Sequence, residues 1–181
     1  MRLKTSSYVL LGMLQRGVAT GYAIKRDVER STRFFWSASL AQVYPELAAL
    51  EAGGHVVSAD EPHGDRPRKT YRLTAKGQRA LEGWLRSERL RDFEFRDEGL
   101  LRLFFADAVP LGDALALVRR MRARAEELER EFRAEVLPVA ERVPGRFTHL
   151  VAREGADYFG WRAGWLREVE QELERELAET P

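Results

Sequence analysis

Ser39, Gln42 and Tyr44 lie within six residues of one another on a stretch that reads as a helix, and Arg66, Arg68 and Lys69 follow on a short charged connection. A glutamine amide offers the paired donor and acceptor that match the major-groove edge of adenine, while serine and tyrosine hydroxyls donate to phosphate oxygens. Clustered cations neutralise phosphates or enter a minor groove. The chemistry on offer is recognition of a polyanion that has readable edges. Two residue readings stay open: the Tyr44 ring packs in a core with only its hydroxyl outside, or the cationic connection is simply a solvated hairpin.

Bond-making chemistry finds little support. Cysteine is absent, which excludes disulfides, thiolate metal sites and cysteine nucleophiles and makes a reducing cytoplasm the natural setting. His55, His63 and His149 are far apart and have no metal-ligand spacing. No GxSxG, phosphate-loop or dinucleotide fingerprint is present, and the Glu-rich stretches read as solvated helix faces. The expectation is a protein that is not an enzyme and carries no cofactor. No leader sequence or apolar run of the ~18–20 residues a membrane span needs is visible, so an intracellular protein with no membrane partner is expected.

Charge divides the chain. Residues 1–86 hold 14 Lys+Arg against 8 Asp+Glu, whereas residues 87–181 hold 16 against 21, within a total of +1. One half is suited to meet a polyanion and the other is not.

The elements that position the candidate residues follow from caps and periodicity. Thr5, Ser6 and Ser7 offer caps for a first helix, Tyr8 to Gln15, with Val9, Leu10, Met13 and Leu14 as core candidates. Thr20-Gly21-Tyr22 opens a second, with Ile24 and Val28 inside and Lys25, Arg26, Glu29 and Arg30 outside. Phe34-Phe35-Trp36 reads as a packing corner. Ser39 then caps a third helix whose Leu40, Val43, Leu47 and Leu50 face a core, leaving Gln42, Tyr44, Ala48 and Ala49 on the opposite face. Pro45 removes an N–H within that helix and predicts a kink or an irregular first turn. Gly53-Gly54 stops it.

Alternation over His55 to Glu61 and Lys69 to Thr74 gives a hairpin, with Val57 and Ala59 facing Tyr71 and Leu73. Thr74 caps a fourth helix, Ala75 to Leu85, whose Leu81, Trp84 and Leu85 close the domain. A helix followed by a charged β-hairpin is how a winged helix presents itself to DNA.

The segments GYAIKRDVE, SASLAQVYPELAALEAGGHV and RKTYRLTAKGQRAL together resemble the PadR family of bacterial transcriptional regulators. FRDEGLLRLFFADA and YFGWRAGWL resemble the C-terminal domain that longer members share with the virulence activator alpha group. The resemblance implies a mainly α protein, a winged helix-turn-helix domain joined to a helical dimerisation domain, acting as a dimeric DNA-binding regulator that is usually a repressor. It also implies that Ser39, Gln42, Tyr44 and Pro45 stand in the recognition-helix motif, and Arg68, Lys69 and Tyr71 in the wing.

Domain bounds are read as 1–86 for DNA binding, 87–97 for a connector and 98–181 for dimerisation. In the last, Leu100, Leu101, Phe104 and Phe105 form an apolar patch on a short helix that ends before Pro110. Ala114, Val118, Met121, Ala125, Leu128, Phe132 and Val136 then recur at near-heptad spacing. Pro138, Pro144 and Gly145 break that pattern before a final helix, Phe147 to Ala178, with Tyr158, Trp161, Trp165, Val169, Leu173 and Leu177 along one side. One antiparallel pair does not bury both seams, so a second copy is expected over Val118, Met121, Leu128, Phe132, Trp161, Trp165, Val169 and Leu173.

Trp84, Phe104, Phe105, Tyr158 and Trp161 supply flat surface for a small aromatic effector, with dimer core as the alternative. The functional expectation is a sequence-specific, homodimeric repressor of double-stranded DNA with a pseudo-palindromic operator. Its rival is a helical scaffold or protein-interaction module with a vestigial winged domain.

Overall fold

In the computed structural model, residues 3–32, 35–36, 42–62, 68–89, 95–143 and 145–179 are described. The chain divides into two units, residues 1–92 and 93–181.

The first unit runs α1 (Thr5–Gln15), α2 (Gly21–Arg30), α3 (Val43–Ala52), β1 (Val56–Glu61), β2 (Arg68–Leu73) and α4 (Ala75–Leu85). Leu11, Ile24, Leu47, Leu50 and Val56 are fully buried at its centre, joined by Leu10, Val43, Tyr71 and Leu81. Thr20 caps α2 by accepting from the Ala23 N–H at 3.2 Å, as its position ahead of an amphipathic run requires. α1 begins earlier than its cap residues suggest: Lys4 is the N-cap, and Thr5, Ser6 and Ser7 are helical. The buried Ser7 hydroxyl instead donates to the Glu46 carboxylate on α3.

The regular part of α3 starts at Val43, so Pro45 is its third residue. An N–H there has no intrahelical partner in any case, and the expected kink is not needed. Ser39, Leu40 and Phe34 lie outside the described residues. Phe35 and Trp36 are exposed, so the expected packing corner is not formed by them. Gly54, at φ +70°, ends α3, with the His55 N–H returning to Leu50 O at 2.9 Å.

β1 and β2 pair antiparallel with Val56 opposite Leu73, Ser58 opposite Tyr71 and Asp60 opposite Lys69. Val57 and Ala59 thus pair with Arg72 and Thr70, one residue away from the expected register. A one-residue slip exchanges the faces of a strand, and the fully buried side chain is Val56. On α4, Leu81 is buried, Leu85 is exposed, and Trp84 stacks on Tyr8 at 4.9 Å with the rings 6° from parallel.

The junction between α3 and α4 is closely built. Thr74 Oγ1 caps α4 by accepting from the Gly77 N–H at 3.1 Å and itself donates to Gly54 O at 2.8 Å. Lys76 Nζ donates to Gly53 O at 2.7 Å. The two residues that follow α3 are thereby tied to the first turn of α4, while the carbonyls of Ala49, Leu50 and Glu51 in its last turn accept from the N–H groups of Gly53, His55 and Gly54.

The second unit contains α5 (Glu98–Phe104), a 3-10 turn (Ala106–Ala108), α6 (Leu111–Glu131), a π turn (Phe132–Val136), α7 (Leu137–Arg142) and α8 (Arg146–Glu179). α6 and α8 run antiparallel: Arg119 meets Glu170 and Glu174, Arg122 meets Glu170, and Glu126 meets Arg167. Hydrogen bonds from Arg122 and then Arg119 hold the Glu170 carboxyl below the usual carboxylate range. Pro138 does not break the helical path. A wide turn precedes it, in which the Leu137 N–H reaches back to Phe132 O, and the proline sits in the first turn of α7.

Val118, Ala125, Ala163 and Leu166 form the buried seam of this hairpin. Val118 and Phe132, expected at a subunit contact, are fully buried within one chain. Met121, Leu128, Trp165, Val169 and Leu173 are half-buried, and Trp161 is exposed. On α8 the buried inner face is built from Ala152, Ala156, Ala163 and Leu166; of the seam expected from spacing, Trp165, Val169 and Leu173 pack against it, while Trp161 and Leu177 are exposed.

Candidate nucleic-acid interface

The outer face of α3 carries Gln42, Tyr44, Pro45, Ala48 and Ala49, all exposed, while Val43, Leu47 and Leu50 anchor the opposite side. The Tyr44 ring lies against the start of α2: a Cβ on Gly21 would sit 2.6 Å from its Cε1 atom. Glycine at this position leaves room for the ring, and Tyr44 keeps 55% of its surface exposed. Both readings of Tyr44 are therefore partly met, with ring contact on one side and an open surface on the other.

β2 supplies the cations. Arg68 lies 3.8 Å from the Glu61 carboxylate, and Lys69 Nζ donates to Glu51 Oε2 at 3.1 Å. The hydrogen bond that Lys69 donates to Glu51 raises the Lys69 pKa, and those that Ser58 and Lys69 donate lower that of Glu51. Arg66 lies outside the described residues. Tyr71 departs from its assignment to the DNA face: its ring is buried in the core and its N–H donates to Ala19 O at 2.7 Å. Burial raises its phenol pKa. Tyr71 thus ties the hairpin to the α1–α2 loop and supports the site from beneath.

Two residues that matter here escape a reading by type and spacing. Glu51 looks like a solvated acid, and Gly21 like a helix start. A signal existed for the first, since an acid in the last turn of a helix opposes the helix dipole and calls for a partner. For Gly21 nothing short of the Tyr44 contact would reveal it.

Among the described residues of the second unit, Phe105 lines one cleft and Tyr158 with Trp161 line another. Trp84 stacks on Tyr8 in the first unit. Phe105 lines a cleft of about 520 Å³ between α5 and α6, with Leu101, Val109 and Leu117. Tyr158 and Trp161 line another, about 430 Å³, along α8 with Leu150, Arg153, Glu154 and Asp157. Phe104 is exposed and meets Phe105 edge to face at 5.0 Å. Beside the second cleft, the buried Arg162 pairs with Asp97, whose other oxygen caps α5 by accepting from the Leu100 N–H at 2.9 Å.

Among the described residues no group of three or more His, Asp or Glu could hold a metal ion, and no helix is long and apolar enough to cross a membrane. Residues 10–83 match the family model described as the transcriptional regulator PadR-like family, and residues 95–174 match that of the virulence activator alpha C-terminal domain. The negative transcriptional regulator PadR of Bacillus subtilis (strain 168) is 25% identical over 175 residues, spanning 92% of this chain and 96% of the relative. The crystal structure of Bacillus subtilis PadR in complex with operator DNA superimposes with a TM-score of 0.87 at 22% identity, over 96% of this chain and 99% of that one. The same protein in complex with p-coumaric acid gives 0.79 at 22% identity, over 94% and 99%. With both halves matched, the chain carries a PadR-like transcriptional-regulator domain followed by a virulence activator alpha C-terminal domain.

Proposed function

We propose that this regulator is a homodimeric repressor that reads a pseudo-palindromic operator with the outer face of α3 and grips the flanking phosphates with β2. Members of the family are DNA-binding regulators, not enzymes. The observation that carries the reading is the exposed row Gln42, Tyr44 and Pro45 on a helix whose other face is locked into the core, with Arg68 and Lys69 on the adjoining hairpin. Gln42 reads a base edge, Tyr44 and the cations hold phosphates, and Ser39 and Arg66 complete the two contact sets.

The first unit serves as the DNA-binding domain and the second brings two copies together. Trp161, Leu150 and Val151 leave apolar surface uncovered on α8, and Leu101, Phe104 and Phe105 do so on α5. A second copy over such surfaces sets two winged units about one DNA turn, roughly 34 Å, apart. The effector class is a small aromatic acid. Tyr158 and Trp161 offer it stacking surface and Arg153 a countercharge, and a relative has been crystallised with p-coumaric acid.

Fluorescence anisotropy on a duplex selected by the protein from a randomised pool tests the reading. Binding must weaken steeply between about 50 and 200 mM salt, and p-coumarate must lower it. Binding that ignores salt would leave a helical interaction module as the better description. Trp161→Glu, at a position 63% exposed, separates the subunits without disturbing the inner seam; an unchanged sedimentation coefficient would count against this face.

A further inference from the structure

Glu51 occupies the last turn of α3, where the negative end of the helix dipole disfavours a negative charge. Both of its oxygens are engaged: Oε1 accepts from the Ser58 hydroxyl on β1, and Oε2 accepts from Lys69 Nζ on β2 at 3.1 Å. One carboxylate thus bridges the recognition helix to both strands of the hairpin. Lys69 Nζ also lies 5.6 Å from the centroid of the Tyr71 ring, which is anchored in the core. Lys69 is therefore held back against the body of the unit.

The pair is a surface one. The Lys69 side chain is half exposed and that of Glu51 a third exposed, so the contact is weak and screened, and a DNA phosphate competes for the ammonium. Without Glu51, any duplex gains a further cation. Non-specific binding is almost wholly electrostatic, so it profits from such a cation whatever the base sequence. Operator binding depends in addition on where the wing stands relative to α3, and that is what the bridge fixes.

We infer that Glu51 is a specificity-determining residue, holding Lys69 from random phosphates and fixing the wing against the recognition helix. The inference rests on the reading of α3 and the hairpin as the DNA-contacting elements. Glu51 touches no base in this account; it acts through Lys69 and Ser58.

The test uses the full-length chain with Glu51→Gln, Lys69→Gln and the double variant, on a short random-sequence duplex and on the duplex selected by the wild type. Glutamine keeps the shape of the side chain and an acceptor for Ser58, and thermal melts of each variant check the fold. Glu51→Gln is expected to bind random DNA several-fold tighter at low salt, with a log–log salt slope steeper by about 0.9. That equals about a three- to fourfold larger loss between 50 and 200 mM salt. Operator binding is expected not to tighten, so the operator-to-random ratio falls. In the Lys69→Gln background the substitution should leave the slope unchanged. Ser58→Ala, which alters no charge, should lower the ratio at constant slope, and it keeps the question open to measurement if Glu51→Gln folds poorly. An unchanged slope in Glu51→Gln overturns the inference, as does an equal steepening in the Lys69→Gln background, which would assign the effect to bare charge. A wild type that binds neither duplex in a salt-dependent way overturns the DNA reading and this inference together.

Discussion

Replacing Gly77 by alanine should disrupt the joint that fixes the end of α3, whereas the same change at Gly83, six residues further along α4, should stabilise the protein. A Cβ at position 77 would stand 2.0 Å from His55 O, a backbone atom that no side-chain rotation can move. Relief requires α4 and the start of β1 to separate by about 1 Å, the kind of overpacking that costs about 1–3 kcal/mol. The movement also strains the Thr74 cap on Gly77 N–H and the Thr74 N–H bond to His55 O, at 3.1 Å each. Loss of a cap costs about 0.5–2 kcal/mol. The two together come to about 1.5–5 kcal/mol, the upper part of which only a few mechanisms such as this one reach. Gly83 has nothing within 4 Å of an added Cβ, so alanine there gains about 1 kcal/mol of helix propensity. Urea unfolding of the two variants beside the wild type measures both. A Gly77→Ala midpoint within about 1 kcal/mol of the wild type, or a Gly83→Ala protein less stable than Gly77→Ala, would refute the packing argument. Because Thr74 and Lys76 hold the Gly54 and Gly53 carbonyls that follow α3, Gly77→Ala should also weaken DNA binding at temperatures where the protein is still folded.

Other consequences are open to measurement. Arg68→Ala with Lys69→Ala should make the salt slope of DNA binding shallower by less than the ~1.8 of two free cations, because Glu61 and Glu51 already engage them; a larger change would show that both are released on binding. Gln42→Ala should lower discrimination between selected and random DNA with little change in slope. Gly21→Ala should displace the Tyr44 ring and reduce DNA affinity while moving the melting temperature little, and unchanged affinity would remove Tyr44 from the contact set. Burial and the nearby Lys76 lower the His55 pKa from 6.5, so the unfolded chain takes up the proton first as pH falls. Its contribution to stability is complete above about 6.5 and declines below it; in His55→Gln the acid-side decline in denaturant midpoint should flatten. Truncation after Arg86 should give a monomer that binds its operator about 10² to 10⁴ times more weakly, and a stable dimer in sedimentation would reassign the second half.

The first unit was largely legible because its elements obey local rules. Thr20 and Thr74 cap where a cap residue precedes an amphipathic run, Gly54 ends α3 at positive φ, and Val43, Leu47 and Leu50 keep one face. What escaped depended on a single offset. Beginning α3 at Val43 turns Pro45 from a helix breaker into a tolerated first-turn residue, and shifting the strand register by one exchanges Val57 for Val56 inside. Tyr71 illustrates a different limit. Its type and hairpin position suit phosphate contact as well as core packing, and only the partners around it decide.

In the second half, periodicity located the helices and found Val118 and Ala125 on the α6 side of the contact, but missed the small residues that α8 places there. Large aromatics on α8 look like core by hydrophobicity alone, yet two helices in close approach need small side chains at the crossing. A Cβ on Gly155 would stand 2.4 Å from the Phe132 ring and one on Gly160 would stand 2.8 Å from Glu129 Oε1. Ala152, Ala156 and Ala163 complete that face, and Trp161 is left outside it. Charge carries a parallel ambiguity. The surplus of basic residues in the first 86 describes a tendency, but Arg26, Arg68, Lys69 and Arg86 each lie within 4.0 Å of a carboxylate. These are exposed pairs, each weak enough for a phosphate to displace. On the proposed reading, the field that DNA meets is set by which pairs open on contact, and among them Glu51 with Lys69 is the one that also joins α3 to the hairpin.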